Sequence, residues 1–138
     1  MGNFFKFANI LQRDQTYLVR QARIKREGSP YYTYTVGIIA ASDSVVLIPR
    51  TYFPESKKYE PLDFIEIVNN DVVDLSLAIN GQDHFVCLAG TIRTIEAMPF
   101  HEIRITNNDA ATATVAGKTI LTLQRQPLTI DKWVRMQK

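Results

Sequence analysis

The residues best able to bind a metal or to act as a nucleophile are few in this sequence. The two histidines, His84 and His101, are not accompanied by cysteines or histidines at the spacing typical of metal ligands. Cys87 is the single cysteine, so a disulfide within the chain is excluded. Because its neighbours are apolar, we predict that Cys87 is a small buried side chain and not a reactive thiol. The sequence therefore predicts neither a metal site nor a cofactor.

Pairs of carboxylates are the next candidates for catalysis. Asp71 lies near Asp74 and Glu60 near Asp63, but both pairs fall in segments typical of surface turns. An acid and a base need different environments to separate their pKa values, and these segments do not indicate a buried cleft. The chain also has neither a Gly-x-Ser-x-Gly motif nor a phosphate-binding glycine pattern. We therefore predict that the protein is not an enzyme.

Basic residues followed by tyrosines form the clearest candidate for ligand binding. Basic grooves that carry aromatic rings bind single-stranded nucleic acids. The acidic second half of the chain would repel phosphate, so nucleic acid is kept as a possible partner that is not favoured. The residues concerned are Arg20, Arg23, Lys25 and Arg26, followed by Tyr31, Tyr32 and Tyr34.

Segment 49–61 has three prolines and three aromatic residues, Tyr52, Phe53 and Tyr59, and is predicted to be a long loop. Exposed rings of this kind can stack on sugars, which keeps carbohydrate binding as an alternative function. The interpretation that we favour is that the rings attach the loop to the body of the domain.

Alternation of apolar and polar residues predicts that the elements carrying these side chains are strands. Asn80-Gly81 is the strongest hairpin signal, because both central residues of a type I′ turn need a positive φ. Regularly spaced strands indicate an all-β domain spanning residues 1–138, and we predict a jelly-roll-like β-sandwich. The predicted strands are 16–26, 31–41, 45–48, 63–68, 72–79, 84–88, 91–96, 99–106, 111–115 and 118–123.

The two ends of the chain differ from this pattern and are predicted to be short helices or extended arms, over residues 1–14 and 127–138. Phe4 and Phe7 are apolar members of the first arm, and Trp133 is an apolar member of the second. Each arm can pack on its own domain or on a neighbouring copy, and the sequence does not decide between them. Neither a secretory signal nor a transmembrane segment is predicted.

Charge is distributed unevenly along the chain. Residues 1–60 carry nine Lys or Arg against five Asp or Glu, whereas residues 61–124 carry three against eight. The last fourteen residues return to a net charge of +3. Such asymmetry favours head-to-tail contacts between copies, although the same charges can also be mixed over the folded surface.

Residues 65–123 contain a series of strand and turn motifs: Val68-Asn69-Asn70, Asn80-Gly81, Ala89-Gly90-Thr91-Ile92-Arg93, Phe100 to Asn107, and Gly117 to Leu123. In this order the motifs resemble segments of small bacteriophage structural proteins. The resemblance covers just under half of the chain and implies a capsid, decoration or spike-type component of a virion.

These observations together predict a homo-oligomeric structural protein of a phage particle, assembled in the host cytoplasm and in contact with other virion proteins. The alternative is a β-module that binds carbohydrate or single-stranded nucleic acid. The predicted contact residues are Phe4, Phe7, Arg20, Arg23, Lys25, Arg26, Tyr52, Phe53, Tyr59 and Trp133.

Overall fold

The computed structural model describes residues 18–127, which form eight strands, two α-helices and one 3-10 helix. Helix α1 covers residues 18–27 of this range, α2 covers Pro49–Tyr52, and the 3-10 helix covers Pro54–Tyr59. The strands are β1 Tyr32–Thr35, β2 Ser44–Leu47, β3 Phe64–Asn69, β4 Leu75–Ile79, β5 Asp83–Cys87, β6 Thr91–Ile95, β7 Ile103–Asn107 and β8 Thr119–Gln124.

The strands form two antiparallel sheets in the orders β1-β8-β3-β6 and β2-β7-β4-β5. Strand β1 pairs with β8, β2 with β7, β3 with β6 and β4 with β5. The chain is therefore a long hairpin centred on the β4–β5 turn and rolled into two sheets, which is the arrangement of a jelly roll. The predicted all-β, jelly-roll-like sandwich is confirmed.

The core lies between the two sheets and is almost entirely aliphatic. On β3, Ile65 and Ile67 point inward while Glu66 and Val68 point outward, as the period-2 pattern requires. The other strands contribute in the same way. Fully buried members of the cluster include Leu75, Leu77, Ile79, Ile103, Ile105, Leu121 and Leu123.

The hairpin predicted at Asn80-Gly81 is present. Asn80 has φ of 52° and Gly81 has φ of 73°, so both residues adopt the left-handed conformation that this turn requires. The Asn80 side chain also accepts a hydrogen bond from the backbone N–H of His101, at 2.7 Å. The turn is thereby attached to the segment that precedes β7.

The strand predicted over residues 16–26 is wrong, because residues 18–27 are helical. Most residues in this range are strong helix formers, and Arg23 pairs with Glu27 one turn later at 3.0 Å. Only Ile24 is fully buried, which is the pattern of a helix lying on a surface. Gly28, with φ of +74°, ends the helix by donating its N–H to the Ile24 carbonyl at 2.7 Å.

The strand predicted over residues 111–115 is also absent, so eight of the ten predicted strands form. Asp109 accepts hydrogen bonds from the N–H groups of Ala111 and Thr112, both at 2.8 Å, and these bonds hold the chain in a loop. The predicted strand 31–41 is shortened to Tyr32–Thr35. Segment 49–61 is not an irregular loop, because Pro49 and Pro54 each begin a short helix.

The predicted arms lie outside the described residues, apart from Pro127. Among residues 18–127, no helix is both long enough and apolar enough to cross a membrane.

Candidate interaction surfaces

The residues considered for metal binding or as a nucleophile are the two histidines and the single cysteine. Cys87 is buried, as predicted, with its sulfur 3.6 Å from the Thr91 carbonyl oxygen. His84 and His101 are both exposed. Within residues 18–127, no three His, Cys, Asp or Glu side chains are grouped so that they could hold a metal ion.

The predicted acidic pairs have structural roles. Asp71 accepts hydrogen bonds from the N–H groups of Val72 and Val115, both at 2.7 Å, while Asp74 accepts one from Ala89 at 2.8 Å. Glu60 pairs with Arg50, and the hydrogen bonds from this guanidinium hold the pKa of Glu60 below its ordinary value. These carboxylates join segments of the surface together.

Two of the predicted basic residues and one predicted aromatic residue meet in a groove between α1 and the 3-10 helix. Arg20 and Arg23 line one wall, and Lys58 and Tyr59 line the other. The groove has a volume of about 360 Å³ and is also lined by Ile24, Glu27 and Gly28. We call it the basic groove.

Charge in the basic groove is only partly neutralised. Hydrogen bonding and proximity to Arg23 lower the pKa of Glu27, so this carboxylate stays ionised beside its partner. Within the described part of the chain, no ion pair joins Arg20 or Lys58 to a carboxylate. The residues that line the groove therefore carry a net positive charge.

Arg125, which follows β8, holds the two walls of the groove in place. Its carbonyl accepts a hydrogen bond from the N–H of Ser29 at 2.9 Å, next to the end of α1. Its guanidinium donates to the carbonyls of Tyr59 and Glu60 at 3.3 and 3.0 Å, at the end of the 3-10 helix. One residue thus connects α1, the 3-10 helix and the sheet.

The remaining predicted aromatic residues pack against the first sheet. Phe53 is half-buried with its ring centroid 5.4 Å from that of Tyr32, while Tyr52 meets Tyr34 edge to face at 4.9 Å. Burial raises the pKa of both Tyr32 and Tyr34. This packing attaches segment 49–61 to the body of the domain, and Tyr52 remains exposed at its edge.

The other predicted basic residues, Lys25 and Arg26, are exposed on α1. Lys25 is not among the residues that line the basic groove, and Arg26 lies 3.7 Å from Glu27. Three predicted contact residues, Phe4, Phe7 and Trp133, lie outside the described residues.

A second surface lies at the opposite end of the sandwich, where four connections meet. They join β1 to β2, β3 to β4, β5 to β6, and β7 to β8. Backbone hydrogen bonds connect them, from Thr114 to Ile39, from Asn70 to Lys118 and from Gly117 to Val36. We call this surface, made of residues 36–43, 70–74, 88–90 and 108–118, the loop end.

Each connection of the loop end exposes one large aliphatic side chain. The exposed fractions are 73% for Ile38, 78% for Val72, 55% for Leu88 and 52% for Val115. The loop end carries four aspartates, Asp43, Asp71, Asp74 and Asp109, and one lysine, Lys118, a net charge of −3. Since all four aspartates accept hydrogen bonds from backbone N–H groups, they shape the loops that hold the aliphatic side chains outward.

Two buried asparagines support the loop end from below. Asn69 ends β3 and donates to the carbonyls of Val73 and Cys87 at 2.9 and 3.2 Å. Asn107 ends β7 and donates to the carbonyls of Ile39 and Thr112 at 3.2 and 2.8 Å. The sequence repeats Asn-Asn-Asp at both places, and this repeat is the signal in the sequence for the shared role.

Comparison with protein families and with curated proteins finds no match. Among solved structures, the chain is similar to the plu4264 protein from Photorhabdus luminescens, with 10% sequence identity and a TM-score of 0.39. The similarity covers 80% of this chain and 75% of that protein. Likeness at this level carries no argument about function.

Proposed function

We propose that this protein is a homo-oligomeric structural component of a virus particle, in the class of phage capsid, decoration or spike proteins. The jelly roll is one of the folds that serve as capsid domains, although it also carries lectins and cupins. The resemblance of residues 65–123 to phage structural proteins is the reason for proposing a virus particle.

The observation that carries the proposal is the contrast between the interior and the loop end. Aliphatic side chains fill the space between the sheets, whereas aliphatic side chains at the loop end face solvent. Large aliphatic side chains that are exposed together at one end of a domain are typical of protein contacts. The interior offers few polar groups for a small ligand, so the proposed activity is contact between proteins.

The proposal is tested by the mass of the native protein in solution. We expect light scattering coupled to size exclusion to give a multiple of the chain mass. We expect this mass to fall as salt is raised, because the basic groove and the loop end carry opposite charge. In lysates of the native host cell, the protein is expected to sediment with particles in a density gradient. A species that is monomeric at every concentration and never sediments with particles would contradict the proposal.

The basic groove supports a second candidate, binding of single-stranded nucleic acid. Arg20 and Lys58 present unneutralised charge beside the Tyr59 ring, which is the combination that such ligands require. The measurement is fluorescence anisotropy of a labelled oligonucleotide at increasing salt. A nucleic-acid binder loses affinity steeply with salt and loses it in the Arg20→Glu, Lys58→Glu double variant. Binding that ignores both changes would exclude this function, and Lys25→Glu, outside the groove, is the matched control.

A further inference from the structure

The basic groove has the size of a site for a small molecule. Its volume of about 360 Å³ lies near the lower limit of such sites, which measure about 300 to 1,000 Å³. One wall is the face of α1 from Arg20 to Glu27, and this stretch spans roughly 10 Å at about 1.5 Å per residue. Grooves for single-stranded nucleic acid follow a strand over about four or more nucleotides. The basic groove instead fits a ligand about one nucleotide long.

Three cationic side chains of the basic groove have donors to offer a ligand. Within residues 18–127, neither Arg20 nor Lys58 pairs with a carboxylate. Arg23 donates to the Glu27 carboxylate through its Nε at 3.0 Å, and within the same residues its Nη groups make no hydrogen bond. Guanidinium and ammonium groups that converge from two walls are typical of sites that bind the oxygens of a phosphate group.

The charge of the basic groove matches one phosphate monoester. Three Lys or Arg line the groove against the single carboxylate of Glu27, a net of +2. A phosphate monoester carries about −1.5 to −2 charges near pH 7. Each phosphate within a strand carries a single negative charge. A terminal phosphate therefore neutralises the groove more completely than an internal phosphate of a strand does.

The wall formed by α1 changes in character along its length. Arg20, Ile24 and Glu27 lie on one face of the helix, because they are separated by four and by three positions. This face runs from a cation, over a buried aliphatic side chain, to a carboxylate. The hydrogen bond from Arg23 lowers the pKa of Glu27, so this carboxylate accepts hydrogen bonds and repels a second anion. The arrangement suits a ligand with a phosphate group at one end and hydroxyl groups at the other.

The basic groove is held in shape by a residue outside it. Arg125 forms hydrogen bonds with Ser29, next to the end of α1, and with the carbonyls of Tyr59 and Glu60 on the opposite wall. Tyr59 is half-buried and packs against the core. A site that exists before its ligand binds avoids the cost of ordering side chains and loops.

The segments outside the described residues do not match the charge of the basic groove. Residues 1–17 carry two Lys or Arg against one Asp, and residues 128–138 carry three against one. Both segments are net positive, and repulsion between like charges disfavours their binding to Arg20, Arg23 and Lys58. The ligand of the groove is therefore expected to be another molecule.

We propose that the basic groove binds the phosphate monoester of a small hydroxylated molecule, either a nucleoside monophosphate or a sugar phosphate. Arg20, Arg23 and Lys58 bind the phosphate group, and Glu27 accepts hydrogen bonds from the hydroxyl groups. Tyr59 contacts the ring of the ligand from the opposite wall. This inference goes beyond the structural role in a particle and does not depend on it. It differs from strand binding because the phosphate that is recognised is terminal.

The test is isothermal titration calorimetry of the full chain with two probes, ribose 5-phosphate and adenosine 5′-monophosphate. We expect at least one probe to bind at a single site per chain. Arg20→Gln and Lys58→Gln each remove a charged donor and are each expected to weaken binding about tenfold or more. Tighter binding of adenosine 5′-monophosphate identifies a nucleotide as the ligand, whereas equal affinity for the two probes identifies a sugar phosphate.

Matched controls separate recognition of phosphate from general attraction. Lys25→Gln removes a charge from α1 at a position that does not line the groove, and this variant is expected to bind both probes as the wild type does. Adenosine, which lacks the phosphate group, is expected not to bind. Circular dichroism and the urea midpoint of each variant check that the domain is folded.

Several results would overturn the inference. One is the absence of binding by both probes, and another is affinity that Arg20→Gln and Lys58→Gln leave unchanged or that Lys25→Gln lowers equally. Adenosine that binds as tightly as its monophosphate would show that the phosphate group is not recognised. An oligonucleotide without a terminal phosphate that binds where both probes fail would favour strand binding instead. Light scattering of the same samples measures assembly separately, so failure of the proposed particle role is distinguishable from failure of this site.

Discussion

Replacing Asn69 with alanine is expected to lower the free energy of unfolding by about 3 to 4 kcal/mol, because four buried polar groups lose a partner at a cost of about 1 kcal/mol or more each. The carbonyls of Val73 and Cys87 lose a donor. The N–H of Asp71 and the hydroxyl of Thr119 lose an acceptor, at 3.0 and 3.2 Å. Urea unfolding followed by circular dichroism measures the change.

Asn70 provides the matched control for this substitution. It is the same residue type at the next position, its side chain is exposed, and its backbone N–H, which donates to the Lys118 carbonyl, is unaffected by alanine. We expect Asn70→Ala to change stability by less than about 0.5 kcal/mol, as is usual for surface positions. Equal destabilisation by the two variants would show that the buried hydrogen bonds of Asn69 do not support the loop end.

Replacing Gly28 with alanine is expected to destabilise the protein by about 2 to 4 kcal/mol and to release α1 from the sheet. One part of the cost is the left-handed conformation, which penalises a side chain by about 1 to 2 kcal/mol. The other part is steric, since a Cβ at this position would lie 2.5 Å from the carbonyl oxygen of Arg125 and 2.8 Å from the Cδ of Pro127. Because both contacts involve atoms of the chain that follows β8, relief requires α1 to move.

Gly90→Ala separates the two parts of this cost. Gly90 has φ of +72°, against +74° for Gly28, but a Cβ there would meet nothing within 4 Å. We expect Gly90→Ala to carry the conformational cost alone. We also expect trypsin to cleave Gly28→Ala at Arg20 and Arg23 faster than it cleaves Gly90→Ala there. If the two variants are equally stable and equally resistant to trypsin, the close approach of Arg125 does not hold the helix.

Two of the predicted contact residues that line the basic groove lie on an element that the sequence predicts wrongly. The sequence predicts contacts at Arg20, Arg23 and Tyr59 and places the first two on a strand. A helix instead places Arg20 and Arg23 about one turn apart, on the face that meets the 3-10 helix. Alternation in this segment was misleading because long basic side chains are tolerated in both structures, and Ile24 is the only fully buried residue of the helix.

The sequence by itself determined the all-β class of the domain, the turn at Asn80-Gly81 and the burial of Cys87. These properties depend on local alternation and on turn residues that must adopt a positive φ, both of which can be read from neighbouring positions. Contact with virion proteins and the absence of catalysis remain predictions.

Only the tertiary structure decided which distant residues share a surface. Ile38, Val72, Leu88 and Val115 belong to four separate connections, and each taken alone is an ordinary exposed residue of a loop. The four connections lie at the same end of the sandwich because β1 pairs with β8 and β3 with both β8 and β6. Strand order depends on pairings across most of the chain, so no local pattern encodes it.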